Sequence, residues 1–273
     1  MMKSIVFLLL IYVVAACTAD QTKADGQSAA KAQSEHTEPK PPSTPVIVPT
    51  VKQFFPHDTM AFTQGLTISN GVMYESTGQY GVSEVRTVDL RSGRVIKRTR
   101  IGGQYFGEGS TVLGDHIYMI TWLNQEGFVF DKRSLSKEKS FKYNGEGWGL
   151  TTDGKDLYMS NGSEVINVLS PEDFQVIRSI TVRLDNKPCR YLNELEWIEG
   201  ELWANVWQSD MIVCIDPQSG NVKRVLNLSS LYPIHQRLVT ADVMNGIAYD
   251  AATHAIYVTG KNWPKVYQIS TSE

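Results

Sequence analysis

From Val46 to the C-terminus the apolar residues fall in short alternating runs broken by Gly, Asn and Asp. Little of this stretch follows a helical period, so it reads as strands joined by turns. One unit recurs five times. It has a Gly- or Asn-containing start, an aromatic near a strand centre, a further apolar strand often ending at an acid, and then a turn and an outer strand. The aromatics are Tyr74, Tyr118, Tyr158, Trp203 and Tyr257, and the starts are Gln64-Gly65-Leu66, Glu108-Gly109, Trp148-Gly149-Leu150, Asn193-Glu194-Leu195 and Asn245-Gly246-Ile247. A period of about 40 to 50 residues with four strands per unit is a propeller blade. The pattern therefore predicts an all-β, five-bladed β-propeller, with a sandwich built on irregular repeats as the alternative. The fifth copy lacks its outer strand, while a strand-like run, Val46 to Phe55, precedes the first. Pairing that run with the last blade would close the ring and hide two sheet edges.

Upstream of residue 46 the pattern changes. Lys3, the apolar run Ile5 to Ala16 and the small residues before Cys17 form a secretory leader too short to span a bilayer. Val14-Ala15-Ala16-Cys17 resembles the lipobox of bacterial lipoproteins, in which the cysteine is lipidated; an ordinary secretory signal cleaved nearby is the alternative. Residues 18–45 hold no aromatic and few aliphatics, so they are expected to be a disordered tether spanning roughly 30 Å. The expected organisation is a leader over 1–17, a tether over 18–45 and a catalytic propeller over 46–273. It implies an exported monomer that meets the membrane only through its lipid, facing the periplasm or the cell exterior. Export permits a disulfide between Cys189 and Cys214, but buried free thiols fit the spacing equally well.

A formal charge of −3 over 273 residues offers nothing for nucleic acid. The chemistry is concentrated at the starts of the units. Gly102-Gly103-Gln104-Tyr105-Phe106-Gly107-Glu108-Gly109 holds one carboxylate among four glycines and two aromatics. A carboxylate kept dry beside rings has a raised pKa suited to proton transfer, although such a stretch read alone is more often a turn with a solvated glutamate. In a propeller, corresponding positions ring one mouth of the channel. They supply Phe62, Gln64, Phe106, Glu108, Trp148, Asn193 and Asn245, with Trp122, Trp207 and Lys261 beyond the second strands. Each alone reads more readily as core or loop; together they have the composition of a small-ligand pocket. The scattered histidines show no ligand spacing, so no metal or other cofactor is expected.

The series Ala61-Phe62-Thr63-Gln64-Gly65-Leu66, Phe106-Gly107-Glu108-Gly109, Thr121-Trp122, Glu146-Gly147-Trp148-Gly149-Leu150, Leu192-Asn193-Glu194-Leu195-Glu196, Trp203-Ala204-Asn205-Val206-Trp207, Asn245-Gly246-Ile247-Ala248 and Thr259-Gly260-Lys261 resembles, in order and spacing, the plant and bacterial type of glutaminyl-peptide cyclotransferase. The resemblance runs from about Phe55 to Ile269. It implies a five-bladed propeller that converts N-terminal glutamine of peptides or proteins to pyroglutamate, releasing ammonia without a metal. It further implies Glu108 as the proton shuttle, Gln64, Asn193 and Lys261 as holders of the γ-amide and its developing charge, and Phe62, Phe106, Trp122, Trp148 and Trp207 as the walls. A non-catalytic tethered propeller that binds a peptide or sugar is the competing reading, and a metal-dependent lactonase-like propeller a third.

Overall fold

The computed structural model describes residues 43–271, and strands make up nearly all of its regular structure. Five sheets carry the fold, each with four antiparallel strands ordered from inner to outer, and the sheet of blade four has a fifth strand on its outer edge. The inner strands are Thr63–Ser69, Gly107–Leu113, Leu150–Thr152, Leu192–Ile198 and Met244–Asp250. Each neighbours the next and the last neighbours the first, so the sheets form the ring of a five-bladed β-propeller. A short hairpin, Arg183–Leu184 with Lys187–Pro188, links blades three and four. The leader and most of the tether proposed from the sequence lie outside the described residues. At the end of that stretch the backbone N–H and hydroxyl of Thr44 donate to Asp185 Oδ1, both at 2.8 Å, and Val225 N–H donates to the Pro45 carbonyl at 2.9 Å.

The run before blade one divides between two sheets. Thr50–Pro56 pairs antiparallel with Lys265–Ser270, placing Phe54 opposite Tyr267, and becomes the outer strand of blade five. Val46–Ile47 instead adds in parallel to Val222–Asn227, the outer strand of blade four. Treating Val46 to Phe55 as one strand missed this division, which falls where Val48 and Pro49 interrupt the pairing. The outer strand of blade three is Val176–Thr181. Phe174 sits in the preceding turn at φ 61° and stacks its ring 3.9 Å from that of Phe141.

The core lies between blades rather than at the axis. Ile212, Trp203, Trp263 and Tyr267 fill the wedge between blades four and five, and Leu150, Phe141, Tyr118 and Met159 that between two and three. Burying each such side chain contributes roughly 1.5–3 kcal/mol relative to exposure. Cys189 and Cys214 are free and buried in different clusters. Burial pushes their thiols up to about 11 and about 12, so neither ionises readily.

The inner strands share an irregularity that builds the site. In blades one, two, four and five the register with the second strand shifts at the strand start: between Thr63 and Gly65, Gly107 and Ser110, Leu192 and Leu195, and Met244 and Ile247. A bulge re-aims a side chain. The second residue of each of these strands is polar: Gln64, Glu108, Asn193 and Asn245. In blade three, whose inner strand begins late, the same slot falls on Trp148. Neighbouring strand starts also approach very closely. A Cβ on Gly109 would lie 2.4 Å from Leu150 N, and one on Gly149 only 2.0 Å from the Asn193 carbonyl oxygen. Glycine at these two positions lets the tops of blades two, three and four converge.

Candidate active site

The convergence opens a cavity of about 440 Å³ lined by Phe62, Gln64, Phe106, Glu108, Trp122, Trp148, Asn193, Trp207 and Lys261. Apart from Asn245 and the lipidation position Cys17, the site residues expected from the sequence thus line one space. Gln208, Asp242 and Val243 complete the lining and were not anticipated. They follow the second strand of blade four or precede the inner strand of blade five, where the repeat has no fixed residue type.

Glu108 is 6% exposed and sits at the centre of the polar floor. Gln64 Nε2 donates to its Oε1 at 2.9 Å, and the Ser76 hydroxyl donates to its backbone carbonyl at 2.7 Å. Behind Gln64, Asn245 Nδ2 donates to Gln64 Oε1 at 3.2 Å and to the Thr63 carbonyl at 3.0 Å. Asn245, read as a residue of the mouth, is therefore fully buried beneath it and orients the Gln64 amide toward the acid. The second N–H of Gln64 is not spent on Glu108. Asn193 lines the cavity, and its Oδ1 is buried with no hydrogen-bond partner among the described residues.

Electrostatics follow from desolvation. Burial drives the Glu108 carboxyl well above the ordinary carboxylate range; Lys261 opposes that shift and Glu146 adds to it. Burial lowers Lys261 in turn, opposed by Glu108 and Asp242. Lys261 Nζ lies 4.8 Å from the centre of the Phe62 ring rather than in an ion pair, so a cation–π contact holds it over the wall. Burial thus moves both the acid and the amine toward their uncharged forms.

The walls are edge-to-face aromatics, an arrangement that fixes rings while leaving faces free. Phe106 meets Phe62 at 6.0 Å and Trp122 at 5.8 Å; Trp148 meets Trp207 at 5.5 Å. Glu146 joins the two groups, because Trp122 Nε1 and Trp148 Nε1 both donate to its Oε2, at 2.8 and 3.0 Å. Its place in Glu146-Gly147-Trp148 was visible in the sequence, but no pattern there tells that one carboxylate holds two indoles from different blades. Among the described residues no three of His, Cys, Asp and Glu come together in a way that could hold a metal ion.

A narrow aromatic cleft at the mouth of a propeller, floored by one protonatable acid, two carboxamides and a buried lysine, defines a small-molecule or chain-end site built for proton transfer. The chain belongs to the glutamine cyclotransferase family, whose model matches residues 16–271. It is 46% identical over 226 residues to a glutaminyl-peptide cyclotransferase of Arabidopsis thaliana, a match covering 80% of this chain and 70% of that protein. The crystal structure of glutaminyl cyclase from Myxococcus xanthus is similar to it with a TM-score of 0.79 at 32% identity, covering 84% of this chain and 98% of that one.

Proposed function

We propose that this protein is a glutaminyl-peptide cyclotransferase, closing N-terminal glutamine of peptides and proteins to pyroglutamate with release of ammonia. The observation that carries this reading is Glu108: a carboxyl raised by burial, held by Gln64, and open to a cavity of about 440 Å³. The substrate α-amine has an ordinary pKa near 7.7–8.0, so a carboxyl raised by burial exchanges a proton with it more readily than an ordinary carboxylate would. In the reaction the neutral α-nitrogen attacks Cδ of the glutamine side chain, forming the ring C–N bond and an oxyanion. Glu108 takes the proton from the attacking nitrogen and returns it to the departing amide nitrogen, and the Cδ–Nε2 bond breaks to give ammonia. Gln64 and Lys261 supply donors toward the developing oxyanion, and the Asn193 carboxamide helps hold the substrate γ-amide. Preorganised groups in a site closed to water act more strongly than they would in solution. The aromatic walls hold the side chain curled, an orientation effect that adds to the acid–base term.

The reading extends to the cell. We place the protein outside the cytoplasm, exported by its leader and anchored through Cys17, with the tether from residue 18 up to the propeller-bound Thr44 carrying the propeller away from the membrane. The sequence pattern of Val14 to Cys17 supports this, and Cys17→Ser is expected to move the protein from the membrane fraction to the soluble one or to block its processing. The proposed working unit is a monomer, in which one chain supplies the cavity lining described above.

Ammonia release from Gln-initiated dipeptides tests the activity. Turnover is expected, unaffected by chelators. No ammonia from any such peptide would refute the assignment, and inactivation by a chelator with recovery on adding zinc would refute the metal-free mechanism.

A further inference from the structure

A second cavity, about 530 Å³, lies beside the catalytic one and shares Phe62 with it. Its remaining lining comes largely from blade one, with the loop after Pro56 and the chain around Asn262 on the blade-five side. Met60 (83% exposed) and Val82 (53%) offer apolar surface in it. Tyr80 stands exposed on the same loop as Val82, its ring edge-on to Phe106 at 5.4 Å. The charges divide into a closely paired set and one that is loosely paired or unpaired. Arg86 is buried, bonded to Glu75 Oε2 at 2.8 and 2.9 Å, to Asp58 at 2.9 Å and to Glu84 at 3.4 Å. Asp58 Oδ1 also accepts the Met60 N–H. The groove acids are thus already engaged by Arg86. Arg98 is 58% exposed and reaches Glu84 only at 3.7 Å, and Arg100, two residues along the same outer strand, makes no ion pair among the described residues.

An N-terminal glutamine seated against Glu108 leaves its own carbonyl, and every residue after it, outside the pocket. Phe62 is the wall over which that chain can pass straight into the neighbouring groove. We propose that this groove between blades one and five binds the substrate segment following the glutamine, and that Arg98 and Arg100 make it favour acidic side chains there. The inference rests on the cyclotransferase reading above. Arg98 and Arg100 act as specificity residues, remote from the reacting atoms.

The test compares C-terminally amidated Gln-Ala, Gln-Ala-Glu-Glu and Gln-Ala-Lys-Lys on the full-length protein and on an Arg98→Ala/Arg100→Ala variant. Two solvent-exposed ion pairs correspond to about a two- to thirtyfold preference for the glutamate peptide over the lysine peptide in kcat/KM at low salt, carried by KM. That preference shrinks toward 1 M salt, where the screening length falls to about 3 Å. The double variant loses it and keeps its rate on amidated Gln-Ala. Equal kcat/KM for the acidic and basic peptides, or a preference that survives the double substitution, overturns the groove assignment. Absence of ammonia from amidated Gln-Ala itself removes the cyclotransferase reading, and the groove proposal falls with it.

Discussion

Glu108 and Glu75 are both buried glutamates, one on the inner strand of blade two and the other on the second strand of blade one, yet they are opposite in character. Around Glu75 the fold gathers two cationic partners and a hydroxyl. Arg86 binds Oε2 twice, His57 Nε2 lies 3.0 Å from Oε1, and Thr63 donates to Oε1 at 2.7 Å. Although desolvation pushes the other way, these partners hold Glu75 down to about 2 and raise His57. Around Glu108 the fold supplies one amide donor and keeps the one lysine on a ring, so desolvation wins and the carboxyl rises. Equal burial therefore gives a permanent anion where cations are packed against it and a titratable acid where they are withheld.

A raised carboxyl is not sufficient for catalysis. Glu194 accepts the backbone N–H groups of Leu66 and Ile247, and Glu196 those of Tyr249 and the Thr151 hydroxyl, so this pair ties blade four to blades one, three and five. Burial lifts Glu194 well above its ordinary value and Glu196 to about 8. Neither lines the cavity. What separates Glu108 from them is access to a substrate.

The comparison can be broken most sharply at Glu108 itself. Glu108→Gln keeps size and hydrogen bonding but cannot carry a proton, so ammonia release is expected to fall by about 10²–10⁴-fold with the melting temperature held or raised. Turnover within a few-fold of wild type in the folded variant would deny it the shuttle role. Glu75→Gln is the converse. It leaves Arg86 buried without its main counter-charge, and breaking such a pair costs about 3–5 kcal/mol, seen as a lowered denaturation midpoint, while turnover per folded molecule changes little. An unchanged midpoint would show that the network at the seam of blades one and five adds nothing.

The third prediction concerns pH and is the smallest in effect. A carboxyl raised in the fold binds its proton more tightly there than in the unfolded chain, so unfolding free energy falls as pH climbs from the ordinary 4.5 toward about 8. Glu75 acts in the opposite sense, with stability present above 4.5 and lost as pH drops toward about 2. Glu196→Gln is expected to flatten part of the alkaline decline, at most about 1.4 kcal/mol per pH unit, without affecting turnover. Denaturant titrations between pH 5 and 8 read this directly. A slope identical to wild type would place Glu196 among ordinary ionised carboxylates.

The legible part of this molecule was the part that repeats. An aromatic in each second strand and a Gly- or Asn-containing start to each unit marked five blades, and the same slot picked out Gln64, Glu108, Trp148 and Asn193. What repetition could not reveal were contacts peculiar to one place. His57, far from Arg86 along the chain, joins it on Glu75 only because the last blade closes against the first. Asn245 occupies the repeated slot yet turns inward, since Gln64 already fills the mouth beside it. Nothing in Glu146-Gly147-Trp148 tells that two indoles from different blades meet on that carboxylate. The split of the N-terminal run depended on the edge offered by Val222–Asn227, which alternation in Val46 to Phe55 does not encode.

Carbon-13 titration of the glutamate carboxyls in the empty enzyme, with Glu108→Gln and Glu75→Gln identifying the two signals, reads both members of the comparison in one experiment. The account predicts a Glu108 midpoint well above 4.5 and a Glu75 midpoint near 2. A Glu108 signal that titrates at or below 4.5, together with the other buried anion, would contradict it.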